Sequence, residues 1–316
     1  MPAPRWIVFH LALLALLAAE LTYSRLGLSA LQGEARARRQ HRNAIAATVM
    51  WIVAALAFAA WVFHAMGAAS ATQFLAGYTI EESLSIDNLF VFLLLFRVFS
   101  IPPTFQPRVL FFGVLGAILL RGAFIAAGVQ LITRFEWVSY LFALILLAAA
   151  IRLVVPGEHG DTQGLSTQPP RWIRWVLRIH PVSPRSDIFF TREEGHFRIT
   201  MLFLALIAIE TADIIFALDS IPAVLSITRQ PFLAYTSNIL AVMGLRSLFF
   251  LLAAMLRRMH LLHYGLAAVL AFASLRMLAA RWIEVGPLTS LAVILAILAT
   301  TIAASIARRS DVTKLS

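Results

Sequence analysis

The chain has 316 residues, 60% of them hydrophobic and only 13% charged, with mean hydropathy +0.84, no cysteine and a formal net charge of +10. This is about half the charged share of an ordinary soluble domain. It excludes a water-soluble globule, a disordered chain, a collagen-like repeat, a disulfide scaffold and any thiolate metal site, and leaves a helical protein that crosses a membrane several times.

A helix needs about 20 mostly apolar residues to cross a bilayer. Nine runs qualify, near 6–28, 44–66, 72–96, 109–130, 136–155, 199–226, 236–256, 261–283 and 287–307. The first has the look of a signal peptide, but Arg36, Arg38, Arg39 and Arg42 follow closely in loop 29–43 and resist translocation, so it reads as a retained helix. The side holding this loop also collects Arg25, Arg97, Arg108, Arg171, Arg174, Arg178, Arg185, Arg192, Arg198, Arg257, Arg258, Arg308, Arg309 and Lys314. The opposite side holds Arg5, Arg134, Arg229 and Arg281. By the excess of basic residues the first side is cytoplasmic, with the N-terminus outside and the C-terminus inside. The basic charge is a topology signal. No basic folded domain with a recognition motif supports a nucleic-acid partner, and the surrounding partner is membrane lipid.

The expected organisation is two N-terminal helices with a basic cytoplasmic loop (1–71), a three-helix unit (72–155), a cytoplasmic loop (156–198), a second three-helix unit (199–285), and a last helix with its tail (286–316). Pro156, Gly157, Gly160, Gly164, Pro169, Pro170, Pro181 and Pro184 break up the loop. Within it, Trp172 to Ile179 fits either an interfacial helix or a partly ordered linker.

The two units repeat. Glu81-Glu82-Ser83-Leu84-Ser85-Ile86-Asp87-Asn88 aligns with Asp213-Ile214-Ile215-Phe216-Ala217-Leu218-Asp219-Ser220. In each, an acid precedes an Asp by six positions and a small polar residue follows. Leu120-Arg121-Gly122 parallels Leu245-Arg246-Ser247, and Tyr140 precedes Arg152 as Tyr264 precedes Arg276. A unit of three helices is odd, so the copies insert with opposite orientation. The fold class is therefore all-α, a polytopic membrane protein of about nine transmembrane helices with an inverted three-helix repeat, an arrangement that builds transporters with a site at the repeat interface.

Glu81, Glu82 and Asp87 lie in the third run, and Glu210, Asp213 and Asp219 in the sixth. Each charge at a helix centre costs roughly 2.5–3.5 kcal/mol, so six ionised and facing lipid would cost on the order of 15 kcal/mol. Arg121 and Arg246 sit mid-span and each can balance one acid; two arginines do not neutralise six. Glu20, in the first run, has no counterpart in the repeat and is expected to find an arginine partner. Glu210 and Asp213 share a helix face. Pro222 lacks an N–H and should kink or unwind the helix near Leu218–Asp219, freeing a carbonyl beside Asp219 and Ser220, while Asn88 supplies an amide oxygen beside Asp87. Carboxylate, carbonyl and amide oxygens suit magnesium, calcium or manganese. The histidines do not: His41, His159, His180 and His196 fall in loops, His260 and His263 at a helix start, and His10 and His64 outside the repeat. The scattered methionines are core or lipid filler. No nucleotide loop or nucleophile–base pair is present, so the chain reads as a non-enzyme with no permanently bound cofactor. Acids sharing one site also hold protons, which makes proton-coupled exchange chemically sound.

The segments Glu81-Glu82-Ser83-Leu84-Ser85-Ile86-Asp87-Asn88-Leu89-Phe90-Val91-Phe92, Glu210-Thr211-Ala212-Asp213 through Asp219-Ser220-Ile221-Pro222-Ala223, and Thr236-Ser237-Asn238 through Gly244-Leu245-Arg246-Ser247-Leu248 resemble the TerC/Alx family of integral membrane proteins. With Arg108-Val109-Leu110-Phe111 and Tyr264-Gly265-Leu266, the resemblance covers roughly residues 75–285. It departs at Glu82, where the family often has Lys, and at Thr200-Met201, where a Thr-Pro pair commonly opens the helix. The resemblance implies manganese export across the bacterial inner membrane and a grouping with tellurite-resistance determinants. By motif position it implies Glu81, Asp87, Asn88, Glu210, Asp213, Asp219 and Ser220 as cation ligands, with Asp87 and Asp219 foremost and Arg121 and Arg246 balancing charge. Two rival readings are a non-transporting membrane factor for metal loading or tellurite stress, and an exporter of a small organic cation. The first has no need of intramembrane acids. The second calls for an aromatic cage, of which Phe90, Phe92 and Phe216 give only a weak hint.

Overall fold

The computed structural model describes residues 3–25, 33–127, 136–154, 183, 187–193, 196–228, 230–256, 262–283 and 285–314. Nine helices stand among them: α1 (Ala3–Arg25), α2 (Gly33–Met66), α3 (Ala68–Val98), α4 (Gln106–Ala127), α5 (Glu136–Val154), α6 (Met201–Ile227), α7 (Pro231–Leu256), α8 (Leu262–Ala279) and α9 (Pro287–Lys314). Five of them, α1, α2, α4, α6 and α7, contain apolar stretches long enough to cross a membrane. The protein is an all-α polytopic membrane protein.

The apolar runs locate the helices, and the differences lie where polar residues continue a helix or build another element. α2 begins at Gly33, so the arginines expected in loop 29–43 stand largely on its first turns. Glu34-Ala35-Arg36-Ala37-Arg38-Arg39-Gln40 is a run of strong helix formers, which a search for apolarity passes over. The loop 156–198 ends in an antiparallel hairpin, β1 (Phe190–Glu193) with β2 (His196–Ile199), in register Phe190↔Ile199 and Arg192↔Phe197. The stretch Trp172–Ile179 lies outside the described residues. Thr200 joins the hairpin to α6 as its N-cap: the hydroxyl accepts from the Phe203 N–H at 3.4 Å and lies within donating distance of the Phe189 carbonyl at 3.0 Å. Arg108, at the start of α4, donates to the Asp187 carbonyl at 2.8 Å and sits over the Phe189 ring.

The unwinding expected near Leu218–Asp219 does not occur, and α6 is helical throughout with Pro222 inside it. A proline removes one ladder bond, and neighbouring helices support such a defect in a membrane bundle. Here Leu218, Ile221 and Val224 are buried in one apolar cluster with α2, α3 and α7.

α3 and α7 form the centre. Leu89, Phe90, Val91 and Phe92 are consecutive and all buried, and residues 232–247 of α7 are buried without interruption. The second half of α3 and most of α7 are therefore enclosed all round, the condition in which an apolar helix has no outward face. They approach closely at Gly77, where a Cβ would come within 2.9 Å of the Ser237 hydroxyl, small residues being what lets membrane helices pack at short range. Counterpart helices of the two units touch one another: α3 with α6, α4 with α7 and α5 with α8. α1 and α2 pack on one flank, against α3 and α7.

A single residue, Gly67, separates α2 from α3, with φ 88° and ψ 168°. This region is open to glycine and costs other residues about 1–3 kcal/mol. Nothing lies within 4 Å of where a Cβ would stand, so Gly67→Ala tests conformation without a clash. The expected outcome is a lower Tm in detergent, equivalent to about 1–3 kcal/mol; an unchanged Tm would show that the link relaxes freely.

Candidate functional site

The site is built around Arg121 of α4, which is fully buried. Its Nε and Nη2 donate to the two carboxylate oxygens of Asp213 on α6 at 3.2 and 2.8 Å. Its Nη1 donates to Glu81 on α3 and, at 2.7 Å, to the Asn238 side-chain oxygen on α7. The Asn238 amide completes the ring by donating to the second Glu81 oxygen at 2.9 Å. One guanidinium thus joins four helices, and its two-pronged contact with Asp213 is the strong geometry for such pairs. Two carboxylates face a single positive charge, which leaves one negative charge in excess if both are ionised.

One turn and a half further along α3 are Asp87 and Asn88. Asp87 is 1% exposed and Asn88 2% exposed. Neither Asp87 oxygen accepts a hydrogen bond, nor does Asn88 Oδ1, and the hydroxyls of Ser85 and of Ser220 on α6 are likewise buried without a hydrogen-bond partner. Asp87 Oδ2 lies 3.3 Å from Nη1 of Arg276 on α8. Glu81, Leu84, Asn88, Phe216, Ser220 and Arg276 line a narrow cavity of about 10 Å³ to a water-sized sphere, room for roughly one water molecule or one ion. The residues that follow the repeated Asp in each unit, Asn88 and Ser220, thus border the same space. Asp219 stands on α6, and its side chain is outside the described residues.

The remaining acids lie elsewhere. The Glu210 carboxylate rests directly on α4 at Gly116, where any Cβ would overlap it, and both its oxygens are buried without a partner. Glu82 points instead toward α7, with one oxygen 4.0 Å from the Cβ position of Gly244, and its other oxygen is buried and unpartnered. Among the described side chains, Arg246 pairs with none of the acids of the repeat. Its Nη2 lies 2.6 Å from Glu20 of α1, whose second oxygen accepts from the Trp51 indole at 3.0 Å. The five acids whose side chains are described do not form one cluster, and no group of three or more His, Asp or Glu able to hold a metal converges among the described residues. The unengaged oxygens that border the cavity are the amide oxygen of Asn88 and the hydroxyl of Ser220, while the carboxylate lining it, Glu81, is held at both oxygens.

Sequence reasoning overlooked Asn238, Arg276 and Ser85 as members of this region. Arg276 carried a signal, its shared spacing from a tyrosine in both units, but spacing alone names no partner. It also overlooked a polar link on the flank, where His10 of α1 bonds the Tyr235 hydroxyl at 2.9 Å.

The chain matches the family described as "Integral membrane protein TerC family" over residues 66–313. It is 41% identical over 264 residues to a Salmonella typhi protein named "Putative membrane-bound redox modulator Alx", covering 81% of each chain. It is 39% identical to "Uncharacterized membrane protein STKORF319" of Myxococcus xanthus, over 84% of this chain and 82% of that one. It is 33% identical to an "Uncharacterized membrane protein" of Rickettsia bellii over 97% and 98% of the two chains. No solved structure matches.

Removing one partner of a buried ion pair leaves an uncompensated charge and costs about 3–5 kcal/mol. Arg121→Met is expected to lower the Tm and the folded yield in detergent accordingly, and adding Glu81→Gln and Asp213→Asn should recover part of the loss. Wild-type stability of Arg121→Met alone would show that the network does not hold the bundle together.

Proposed function

The chain belongs to the TerC family of integral membrane proteins, and on that premise we propose that it exports divalent cations, manganese first among them, across the bacterial inner membrane. The observation that carries this reading is the pair of unengaged oxygens of Asn88 and Ser220 that border a space for one ion within a membrane bundle, with the buried carboxylate of Asp87 accepting no hydrogen bond and reaching that space only through Arg276. Burying polar groups without partners is costly, and a visiting cation supplies the missing interactions. Oxygen donors of this kind favour manganese, magnesium or calcium over zinc or copper. The size of the cavity speaks against an organic solute.

In this mechanism the cation gives up part of its hydration shell and takes oxygens from α3 and α6 in its place. Asp87 supplies the charge, Asn88 and Ser220 neutral donors, and Asp219 stands as the repeat counterpart of Asp87. Glu81 and Asp213, engaged by Arg121, contribute excess negative charge nearby rather than free lone pairs. The contacts between counterpart helices support an inverted pair of units that rock against each other, and the excess of basic residues supports an outer N-terminus and a cytoplasmic C-terminus. Carboxylates outside the cation site leave room for proton coupling. Several relatives are named redox modulators. This chain has no cysteine and so no thiol couple of its own; movement of a redox-active metal connects that name with the cavity.

Purified protein in liposomes is expected to move manganese in a radiotracer or quenching assay, with magnesium and calcium as comparisons and a pH gradient as a variable. Asp87→Asn and Asp219→Asn should each reduce the flux to that of empty vesicles. Wild-type flux in both would overturn the site assignment. Wild-type vesicles that move no divalent cation would favour a membrane factor that does not transport.

A further inference from the structure

Arg276 is the only charged side chain that approaches Asp87 among the described residues, at 3.3 Å. The same nitrogen, Nη1, donates to the Ser290 hydroxyl of α9 at 3.0 Å. Arg276 also lines the cavity with Asn88 and Ser220. One guanidinium nitrogen therefore stands between an ionic acceptor on α3 and a neutral acceptor on α9, at the edge of the space for the cation.

We propose that Arg276 is a tethered cation that alternates with the transported one at Asp87; the inference rests on the export reading above. A divalent ion bonded to a carboxylate oxygen sits at about 2.0–2.6 Å. A guanidinium at 3.3 Å from the same oxygen repels it, so the two positive groups exclude each other. When the metal takes Asp87, Ser290 keeps Nη1 hydrogen-bonded, and the arginine is not left without an acceptor. When the metal leaves, Arg276 returns its charge to Asp87, and the buried carboxylate crosses the membrane cycle without an uncompensated charge. Ser290 itself is fully buried, which keeps water from replacing it in this role. The arginine thus opposes binding and assists the return of the unloaded carrier, two effects of opposite sign on different steps.

The test compares net manganese efflux with manganese–manganese exchange in the same vesicles. Exchange returns the carrier loaded and does not need the tethered charge, whereas net efflux does. Arg276→Gln is expected to bind manganese about tenfold more tightly, the scale on which close charge pairs couple, to keep exchange, and to lose most net efflux. Ser290→Ala is expected to shift Arg276 toward Asp87 and weaken manganese binding about two- to threefold, the range of one neutral hydrogen bond at the low end. Arg276→Lys, which keeps the charge, should retain net efflux at a reduced rate and serves where the Gln variant does not fold. Equal loss of efflux and exchange in Arg276→Gln, unchanged binding in both the Gln and Ala variants, or a lysine variant as defective as the glutamine one would overturn the inference while leaving export intact. Wild-type vesicles that move no divalent cation would overturn export and this inference together.

Discussion

A guanidinium without exposed surface, gripped by two carboxylates and an amide from three other helices, is the contact on which the rest of the bundle depends. Between helices in a bilayer there is little hydrophobic drive, because lipid tails are as apolar as leucine. Packing of small residues and interhelical polar bonds must do the assembling. Arg121 joins α3, α4, α6 and α7, and so ties both three-helix units at one point. Gly77 against Ser237 and Gly116 against Glu210 supply the close approaches on either side. Each of the polar partners needs the others: Glu81 is held at both oxygens, and Asn238 donates with its nitrogen while accepting with its oxygen.

That contact also sorts the intramembrane acids into kinds. Glu81 and Asp213 are committed to Arg121, and Glu20 to Arg246 and Trp51. Asp87 has a loose ionic neighbour and no hydrogen bond, and among the described residues Glu210 has neither. The distinction matters chemically because a carboxylate saturated by a guanidinium offers few lone pairs to a metal. Asp87 is kept in place by the enclosure of α3, whose next four residues after Asn88 are buried on every side, rather than by bonds to its own oxygens.

Much of the helix layout was legible because the bilayer dictates about 20 apolar residues per crossing, and each of the nine runs overlaps a helix. The misses have physical causes. At α2 the helix outruns its apolar stretch into Ala, Arg and Gln, which favour helix without being hydrophobic. The hairpin at 190–199 is two short strands, below the length that a span search registers. Pro222 suggested an unwound turn, but three buried apolar neighbours hold the helix through it. The site was legible in its residue types and not in its pairing. A helix periodicity tells which residues share a face, and it does not tell which arginine meets which acid. Glu20 finding an arginine was expected, but Arg246 serving Glu20 in place of the repeat, Arg121 taking two acids, and Arg276 reaching Asp87 all depend on contacts between helices far apart in sequence.

The Glu20–Arg246–Trp51 contact bears on how the chain is made. α1 leaves the ribosome well before α7, and it carries an acid whose cationic partner lies on that later helix. Until then Glu20 has only the Trp51 indole of the following helix to meet it. Five helices, α2 to α6, are therefore made between the acid and its cationic partner. The Glu20–Arg246 pair can form only once α7 has been made, so this flank is sealed late, with α8 and α9 still to follow.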